Sequence, residues 1–216
     1  MHTSSWRWRL AQFTELHWWK RYLSSQDEES YLNKKRAYWQ RVLDQLMFEP
    51  TKGERVLEVG CGPAGIFILL NSQQRMTAMD PLIEEYESNL THFDRSMYPE
   101  VSFHVGMMES FQPDEKYSTI YAFNTINHVS NWKTALNNLN NLLKPGGTLI
   151  ISSDVHRFSL LRTIFHLLPG DVLHPQQHSR HHYMEAFRQY NWNVIEEAKL
   201  KREAIFDYYA WVLTKN

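Results

Sequence analysis

Two kinds of hydrophobic pattern follow one another along the chain. Between residues 28 and 46, apolar residues recur at spacings of three and four, which predicts a helix with one buried face. Its apolar positions are Tyr31, Leu32, Tyr38, Trp39, Val42, Leu43 and Leu46. Ser25 and Glu28 have capping-box spacing and predict where this helix starts, and Pro50 and Gly53 predict its end. An earlier helix is predicted over 8–22.

From residue 55 onward, short β-rich runs alternate with helical runs. Strands are predicted over 55–59, 76–79, 101–105, 119–123 and 148–152, and helices over 64–71, 82–93, 132–143, 158–168 and 180–190. Strands at 194–200 and 204–214 follow without a helix between them, which predicts an antiparallel hairpin. Such alternation is typical of a parallel sheet wrapped by helices. We therefore expect an α/β core, residues 51–216, and a helical N-terminal cap, residues 1–50.

Composition restricts the function classes that remain open. The 216 residues suit one domain, and the lone Cys61 cannot form an internal disulfide. A net charge of −1 gives no general reason to expect nucleic acid or a membrane surface as partner. The longest apolar stretches, 66–70 and 210–213, are far shorter than the roughly 20 residues of a membrane span. Arg7 and Arg9 interrupt any signal peptide, so we expect a cytoplasmic location.

A glycine-rich turn carries the strongest chemical signal. Gly60, Gly62 and Gly65 form G-x-G-x-x-G between a predicted strand and a predicted helix. Glycines permit a tight turn and let a ligand approach the backbone, next to the free N–H groups of a helix start. Asp80 comes twenty residues after Gly60, at the end of the next strand, where a carboxylate can accept both ribose hydroxyls. The alternative is a tight turn without a ligand, and we favour nucleoside binding.

Three segments give a family resemblance that covers residues 54–153. Segment 58–65, Glu-Val-Gly-Cys-Gly-Pro-Ala-Gly, resembles motif I of the class I S-adenosylmethionine-dependent methyltransferases. Segments 117–129 and 143–151 are similar to that family's fourth strand with its following loop and to its fifth strand with the preceding turn. The resemblance implies S-adenosylmethionine as cofactor. It also implies a Rossmann-like, seven-stranded, mostly parallel sheet with an antiparallel last strand and helices on both faces.

The resemblance also implies roles for single residues of the glycine-rich turn and the second strand. Gly60 and Gly62 would lie against the methionine part of the cofactor, and Glu58 would orient that loop or the cofactor's amino group. Asp80 would hold the ribose, and Pro81 would pack near the adenine.

Three further cofactor-binding residues are implied by the same resemblance. Met108 and Glu109 occupy the positions of the adenine-edge residues. Met107 stands where the family often has an acid, so Glu109 or a backbone carbonyl would have to contact the adenine amino group. Asn124, after the fourth strand, would lie near the methionine part. A nicotinamide dehydrogenase is the competing interpretation, but it leaves Glu58 and the Lys-Pro-Gly-Gly turn at 144–147 unexplained.

The methyl acceptor is predicted mainly by exclusion. Segment 124–127 reads Asn-Thr-Ile-Asn, whereas enzymes that methylate nucleic-acid bases or glutamine usually have Asn or Asp, Pro-Pro and an aromatic residue there. This leaves a small-molecule acceptor, with a hydroxyl oxygen favoured. An amine, or a cofactor-binding protein without transferase activity, is the alternative. The aromatic residues of the cap either line the acceptor site or, as we favour, pack it onto the sheet: Trp18, Trp19, Tyr22, Tyr31 and Trp39.

Two histidines are candidate catalytic residues. His128 follows the fourth strand, and it either takes a proton from the acceptor or holds the loop by a hydrogen bond. His178 belongs to a cluster for which a solvated face, a general base and a metal site are all open interpretations. The cluster consists of His156, His166, His174, His178, His181 and His182. His178 and His182 are four residues apart, but we expect no metal site. The sequence does not predict an oligomeric state.

Overall fold

The computed structural model describes residues 6–156, 178–202 and 206–216. The helices are α1 (Trp6–Leu23), α2 (Glu28–Gln45), α3 (Phe67–Leu70), α4 (Ile83–Asn89), α5 (Trp132–Leu142) and α6 (Arg180–Gln189). The strands are β1 (Arg55–Val59), β2 (Arg75–Asp80), β3 (Val101–Val105), β4 (Tyr117–Phe123), β5 (Leu143–His156), β6 (Trp192–Arg202) and β7 (Phe206–Lys215). The helix predicted over 158–168 lies outside the described residues.

All seven described strands belong to one sheet in the order β3-β2-β1-β4-β5-β7-β6. β7 is antiparallel to both of its neighbours, and the pairs among β1 to β5 are parallel. The predicted sheet and its final hairpin are therefore confirmed. Because the chain moves outward from β1 to β3 and then returns to β4, the strand order reverses beside β1. A crevice outside the carboxyl ends of the strands is expected at such a reversal.

Two hydrophobic cores lie on opposite faces of the sheet. One includes α2, α3 and α4, and the other includes α5 and α6. Trp39 anchors α2, because its indole N–H donates to the Ala64 carbonyl at 3.0 Å and its ring lies 4.8 Å from that of Phe123. Tyr31 is also buried. α2 thus shares a core with the sheet, and the division of the chain at residue 50 stays a prediction.

Three predicted boundaries are corrected by local backbone geometry. α2 is capped by Asp27, whose carboxylate accepts from the Ser30 N–H at 2.9 Å, whereas the Ser25 hydroxyl donates back to α1. The helix predicted over 64–71 is shorter, because extended Gly65 separates a 3₁₀ turn from α3. β5 is longer than predicted, because residues 148–156 pair continuously with β7.

No helix in the described ranges is long and apolar enough to cross a membrane.

Candidate functional site

The glycine loop leaves β1 and folds back onto the end of β2. The N–H groups of Gly60 and Cys61 both donate to the Met79 carbonyl, at 2.7 and 3.1 Å. Gly60 and Gly62 have φ angles of +64° and +56°. Residues other than glycine rarely adopt this left-handed region, so these two glycines give the loop its shape. The loop therefore turns sharply at the carboxyl end of β1 and carries no side chain at either glycine.

Glu58 holds this loop from beneath. Its carboxylate is buried and accepts hydrogen bonds from the N–H groups of Ile66 at 2.7 Å and Phe67 at 2.9 Å, at the start of α3. Burial outweighs these two bonds and raises the pKa of Glu58 to about 8. Both oxygens bind the loop backbone, which favours the first of the two predicted roles, orientation of the loop.

Asp80 lies at the carboxyl end of β2, directly against the glycine loop. One oxygen accepts from the Gly62 N–H at 3.0 Å, and the other accepts from the Leu82 N–H at 2.8 Å. Burial raises the pKa of Asp80 above its ordinary value. Pro81 follows and is half-buried. The structure therefore brings Gly62 and Asp80 together, and each carboxylate oxygen can still accept a bond from a ligand hydroxyl.

The two predicted adenine-edge residues have different surroundings. Met108 is buried in the core beside α5, and its carbonyl accepts from the Asn138 amide at 2.7 Å. Glu109 accepts from the N–H groups of Ser130 at 2.7 Å and Asn131 at 3.3 Å. Glu109 thereby ties the segment after β3 to the start of α5. Adenine contact by either residue stays a prediction.

Asn124 begins the loop that follows β4. It is exposed and has a φ of +51°, and its N–H donates to the Ser152 carbonyl at 3.2 Å and to the Ser152 hydroxyl at 3.0 Å. The Asn127 amide lies 3.4 Å from the Asn124 side-chain oxygen. Thr125 packs so closely on Gly60 that an added Cβ there would lie 2.1 Å from its methyl group. The β4 loop and the glycine loop thus pack against each other at the edge of the sheet where the crevice is expected.

Two buried polar atoms of the β4 loop could accept hydrogen bonds from the predicted cofactor. Thr125 Oγ1 and Asn127 Oδ1 are buried and have no hydrogen-bond partner among the described residues. Such atoms are costly unless a ligand or water satisfies them. S-adenosylmethionine offers a ribose diol and an ammonium group as donors, and Asp80, Asn127 and Thr125 offer acceptors. The residues present therefore fit the cofactor.

The two candidate histidines have different surroundings. His128 is half-buried, and its backbone N–H donates to the Thr125 carbonyl at 3.0 Å. The His178 ring stacks on Trp132, the first residue of α5, with centroids 4.0 Å apart. His182 instead takes part in the capping box of α6 with Ser179. Within the described ranges, no group of three or more His, Cys, Asp or Glu side chains could hold a metal ion.

Sequence reasoning missed the contribution of α1 to the crevice. The Trp19 ring lies 3.8 Å from the position that a Cβ on Gly62 would take. Glu15 accepts a hydrogen bond from the Tyr86 hydroxyl at 3.4 Å and lies close enough to Asp80 for the two carboxylates to repel each other. Burial and this repulsion raise the pKa of Glu15. The only signal in the sequence is that Glu15 is the one acid in an aromatic and basic helix.

We expect the ligand-free protein to lose stability as the pH rises from about 5 to 8. The raised pKa values of Glu15, Glu58 and Asp80 mean that the folded state retains protons that the unfolded chain releases near pH 4. Their contribution to the free energy of unfolding is complete below about pH 4. This contribution is lost as the pH rises to the raised pKa of each group. Each retained proton accounts for a loss of at most about 1.4 kcal/mol per pH unit.

Urea unfolding at several pH values between about 5 and 8 measures this slope. Glu58→Gln removes one titrating group and should flatten the profile, whereas Glu29→Gln, at an exposed position of α2, should leave it unchanged. A free energy of unfolding that rises across this range would contradict the assignment.

Comparisons with known proteins agree with this geometry. The sequence profile of a family described as "Methyltransferase domain" matches residues 31–197. Ubiquinone biosynthesis O-methyltransferase from Rickettsia akari (strain Hartford) is 28% identical over 126 residues, which are 58% of this chain and 47% of that protein. The chain spans about half the length of the curated relatives it matches, or less.

Solved structures share the fold at low sequence identity. N-methyltransferase NodS from Bradyrhizobium japonicum WM9, in complex with S-adenosyl-l-homocysteine, has a TM-score of 0.62 at 15% identity, over 93% of this chain and 98% of that one. Geranyl diphosphate C-methyltransferase from Streptomyces coelicolor A3(2) has a TM-score of 0.64 at 13% identity, over 83% of this chain and 76% of that one. The profile match covers most of the chain, and the chain belongs to the methyltransferase domain family, of the class I S-adenosylmethionine-dependent type.

Proposed function

We propose that the protein transfers a methyl group from S-adenosylmethionine to a hydroxyl oxygen of a small molecule. The observation that carries this proposal is the hydrogen bond between the Gly62 N–H and the Asp80 carboxylate, which joins the glycine loop to the ribose-binding acid. The β4 loop, which carries His128, packs against this glycine loop through Thr125. A cofactor and an acceptor can therefore meet at this edge of the sheet.

Each residue of the crevice has a separate task in this proposal. S-adenosylmethionine supplies an electrophilic methyl group on a sulfonium. Asp80 would accept the ribose hydroxyls, while Gly60 and Gly62 give the loop the left-handed turns that shape it at the end of β1. Glu58 keeps the loop in place through the start of α3. Asn124, exposed directly after the carboxyl end of β4, would lie near the methionine part of the cofactor. These residues contribute alignment and exclusion of water, which an in-line displacement needs most.

A hydroxyl acceptor requires a place for its proton, and His128 is the candidate group. As oxygen forms its bond to the methyl carbon and the carbon–sulfur bond breaks, the hydroxyl proton would pass to the imidazole. An imidazole titrates near neutral pH and suits this role. The relative from Rickettsia akari is named an O-methyltransferase, which supports oxygen. An amine acceptor remains the second candidate, because the NodS structure is that of an N-methyltransferase.

Replacement of His128 by alanine should lower kcat by about 100-fold or more, because general-base catalysis contributes on that scale. The affinity for S-adenosylhomocysteine should stay within about twofold of the wild type, since the side chain would touch the acceptor rather than the cofactor. Isothermal titration calorimetry and initial rates measure the two effects. His181→Ala, at an exposed position of α6, is the matched control. Unchanged turnover would show that His128 is not the base.

Turnover with a panel of phenols, alcohols and small amines tests the proposed function itself. The protein is incubated with S-adenosylmethionine carrying a labelled methyl group, and labelled products are identified by mass spectrometry. Labelled methyl ethers support the proposal, and labelled amines alone replace it with the second candidate. Binding of S-adenosylhomocysteine without any labelled product across the panel favours the third candidate, a cofactor-binding protein without transferase activity.

A further inference from the structure

The inner face of α1 lies against the cofactor crevice at two points. Trp19 covers Gly62, with its ring 3.8 Å from the position of an added Cβ. Glu15, one turn earlier, reaches the fully buried Tyr86 of α4 and the neighbourhood of Asp80. The helix therefore brings a carboxylate of its own to the place where the ribose-binding acid lies. The family resemblance assigns no residue of α1 to the cofactor.

Glu15, Tyr86 and Asp80 form a largely buried cluster, which has more hydrogen-bond acceptors than donors when both carboxyl groups are ionised. Tyr86 contacts both carboxylates, but a phenol has one proton and can donate to only one of them at a time. The other contacts to these carboxylates come from the neutral N–H groups of Trp19, Gly62 and Leu82. When both are ionised, two carboxylates held only by neutral donors repel each other, and additional hydrogen-bond donors would stabilise this charged state.

A ribose offers the donors that this cluster needs. Its two neighbouring hydroxyl groups are O–H donors, and one carboxylate on each side could accept from them. Hydrogen bonds to ionised acceptors are roughly twice as strong as neutral ones. We infer that Glu15 is a cofactor-binding residue, which accepts a hydrogen bond from the ribose opposite Asp80 and so keeps α1 closed over the crevice. This inference rests on the cofactor of the proposed function and adds a residue to its binding site.

A purely structural role for Glu15 makes a different prediction. If Glu15 only fastens α1 to Tyr86, its substitution should weaken every adenosyl ligand equally. If Glu15 accepts a hydrogen bond from a ribose hydroxyl, its effect should disappear when that hydroxyl is missing from the ligand. Deoxy analogues of the cofactor product therefore separate the two roles.

The experiment is calorimetric titration of the full chain with S-adenosylhomocysteine and with its 2′-deoxy and 3′-deoxy analogues. Glu15→Gln keeps the size of the side chain and removes its charge, and Glu29→Gln, on the exposed side of α2, is the matched control. We expect Glu15→Gln to weaken S-adenosylhomocysteine by about tenfold, which is about 1.4 kcal/mol. We expect a loss of about twofold or less for the analogue that lacks the contacted hydroxyl. Glu29→Gln should bind all three ligands like the wild type.

Two outcomes would overturn the inference while leaving the proposed function intact. One is wild-type affinity of Glu15→Gln for S-adenosylhomocysteine. The other is an equal loss for all three ligands, which indicates a structural role. A wild-type protein that binds no S-adenosylhomocysteine would overturn both proposals. A wild-type protein that binds it but methylates no acceptor would contradict only the proposed function.

Limited proteolysis gives a second readout, which does not depend on the affinity measurement. Lys20 and Arg21, near the end of α1, are exposed and offer trypsin a cleavage site. Saturating S-adenosylhomocysteine should slow cleavage there in the wild type, because the ribose contact holds α1 in place. In the Glu15→Gln variant, saturating S-adenosylhomocysteine should slow this cleavage much less. Equal protection of both proteins would contradict the closure of α1 through Glu15.

Discussion

Replacement of Gly60 by alanine should abolish measurable cofactor binding and destabilise the protein by about 2–5 kcal/mol. The φ of +64° is unfavourable for any residue with a Cβ. The new methyl group would also lie 2.1 Å from Thr125 Cγ2 and 2.8 Å from Thr125 Cβ. Both sides of this contact are fixed, because the Gly60 N–H is bonded to Met79 and the β4 loop is bonded to Ser152. Relief of the clash would therefore push the glycine loop and the β4 loop apart.

Gly62→Ala is the matched control for this substitution. Gly62 has a similar φ of +56°, but the nearest group to its added Cβ is the Trp19 ring at 3.8 Å, an ordinary contact. We therefore expect only the backbone cost, about 1–2 kcal/mol. Urea unfolding and titration with S-adenosylhomocysteine measure both variants. Equal destabilisation of the two variants would contradict the role given to the contact with Thr125.

The sequence predicted the sheet and the glycine loop because local patterns determine both. Alternating strand and helix runs define a parallel α/β sheet, and the carboxyl ends of adjacent parallel strands meet at one edge. Gly62 and Asp80 end up in hydrogen-bond contact for that reason, since they follow the neighbouring strands β1 and β2. Their assignment to the cofactor stays a prediction, but their meeting in space was implied by the order of the elements.

The position of α1 could not be predicted in the same way. A helix pattern indicates which residues share a face, but it does not indicate which part of the molecule that face contacts. The hydrogen bond between Glu15 and Tyr86 joins residues that lie 71 positions apart in the chain, so no local pattern predicts it. The contact of Glu109 with the start of α5 is also long-range, 21 residues apart. The sequence alone therefore provided no reason to pair either carboxylate with its partner.

The capping of α2 shows a smaller limit of pattern reading. Ser25 and Asp27 are both good N-cap residues, and the capping-box spacing favoured Ser25. The serine instead lies in the turn that ends α1, where its hydroxyl donates to the Tyr22 carbonyl at 3.3 Å. A short connection between two helices thus makes the end of the first compete with the start of the second, and Asp27 becomes the cap.

Replacement of Asp80 by alanine should weaken S-adenosylhomocysteine by about 100-fold or more, which is about 2.7 kcal/mol. The substitution removes the carboxylate that we propose as the acceptor for the ribose hydroxyls, and it leaves the Gly62 and Leu82 N–H groups without their present partner. These unsatisfied N–H groups add to the loss of affinity, because they disturb the glycine loop that would contact the cofactor. Calorimetric titration of the variant measures the effect.

Asp94→Ala is a closely matched control for Asp80→Ala. Asp94 accepts a hydrogen bond from the N–H group two residues later, Ser96, at 2.8 Å, and Asp80 accepts from Leu82 in the same way. Asp94 lies in an exposed turn between α4 and β3, so its loss should leave the affinity for S-adenosylhomocysteine unchanged. If Asp80→Ala binds as tightly as Asp94→Ala, the ribose assignment is wrong, and the carboxylate serves only to shape the loop.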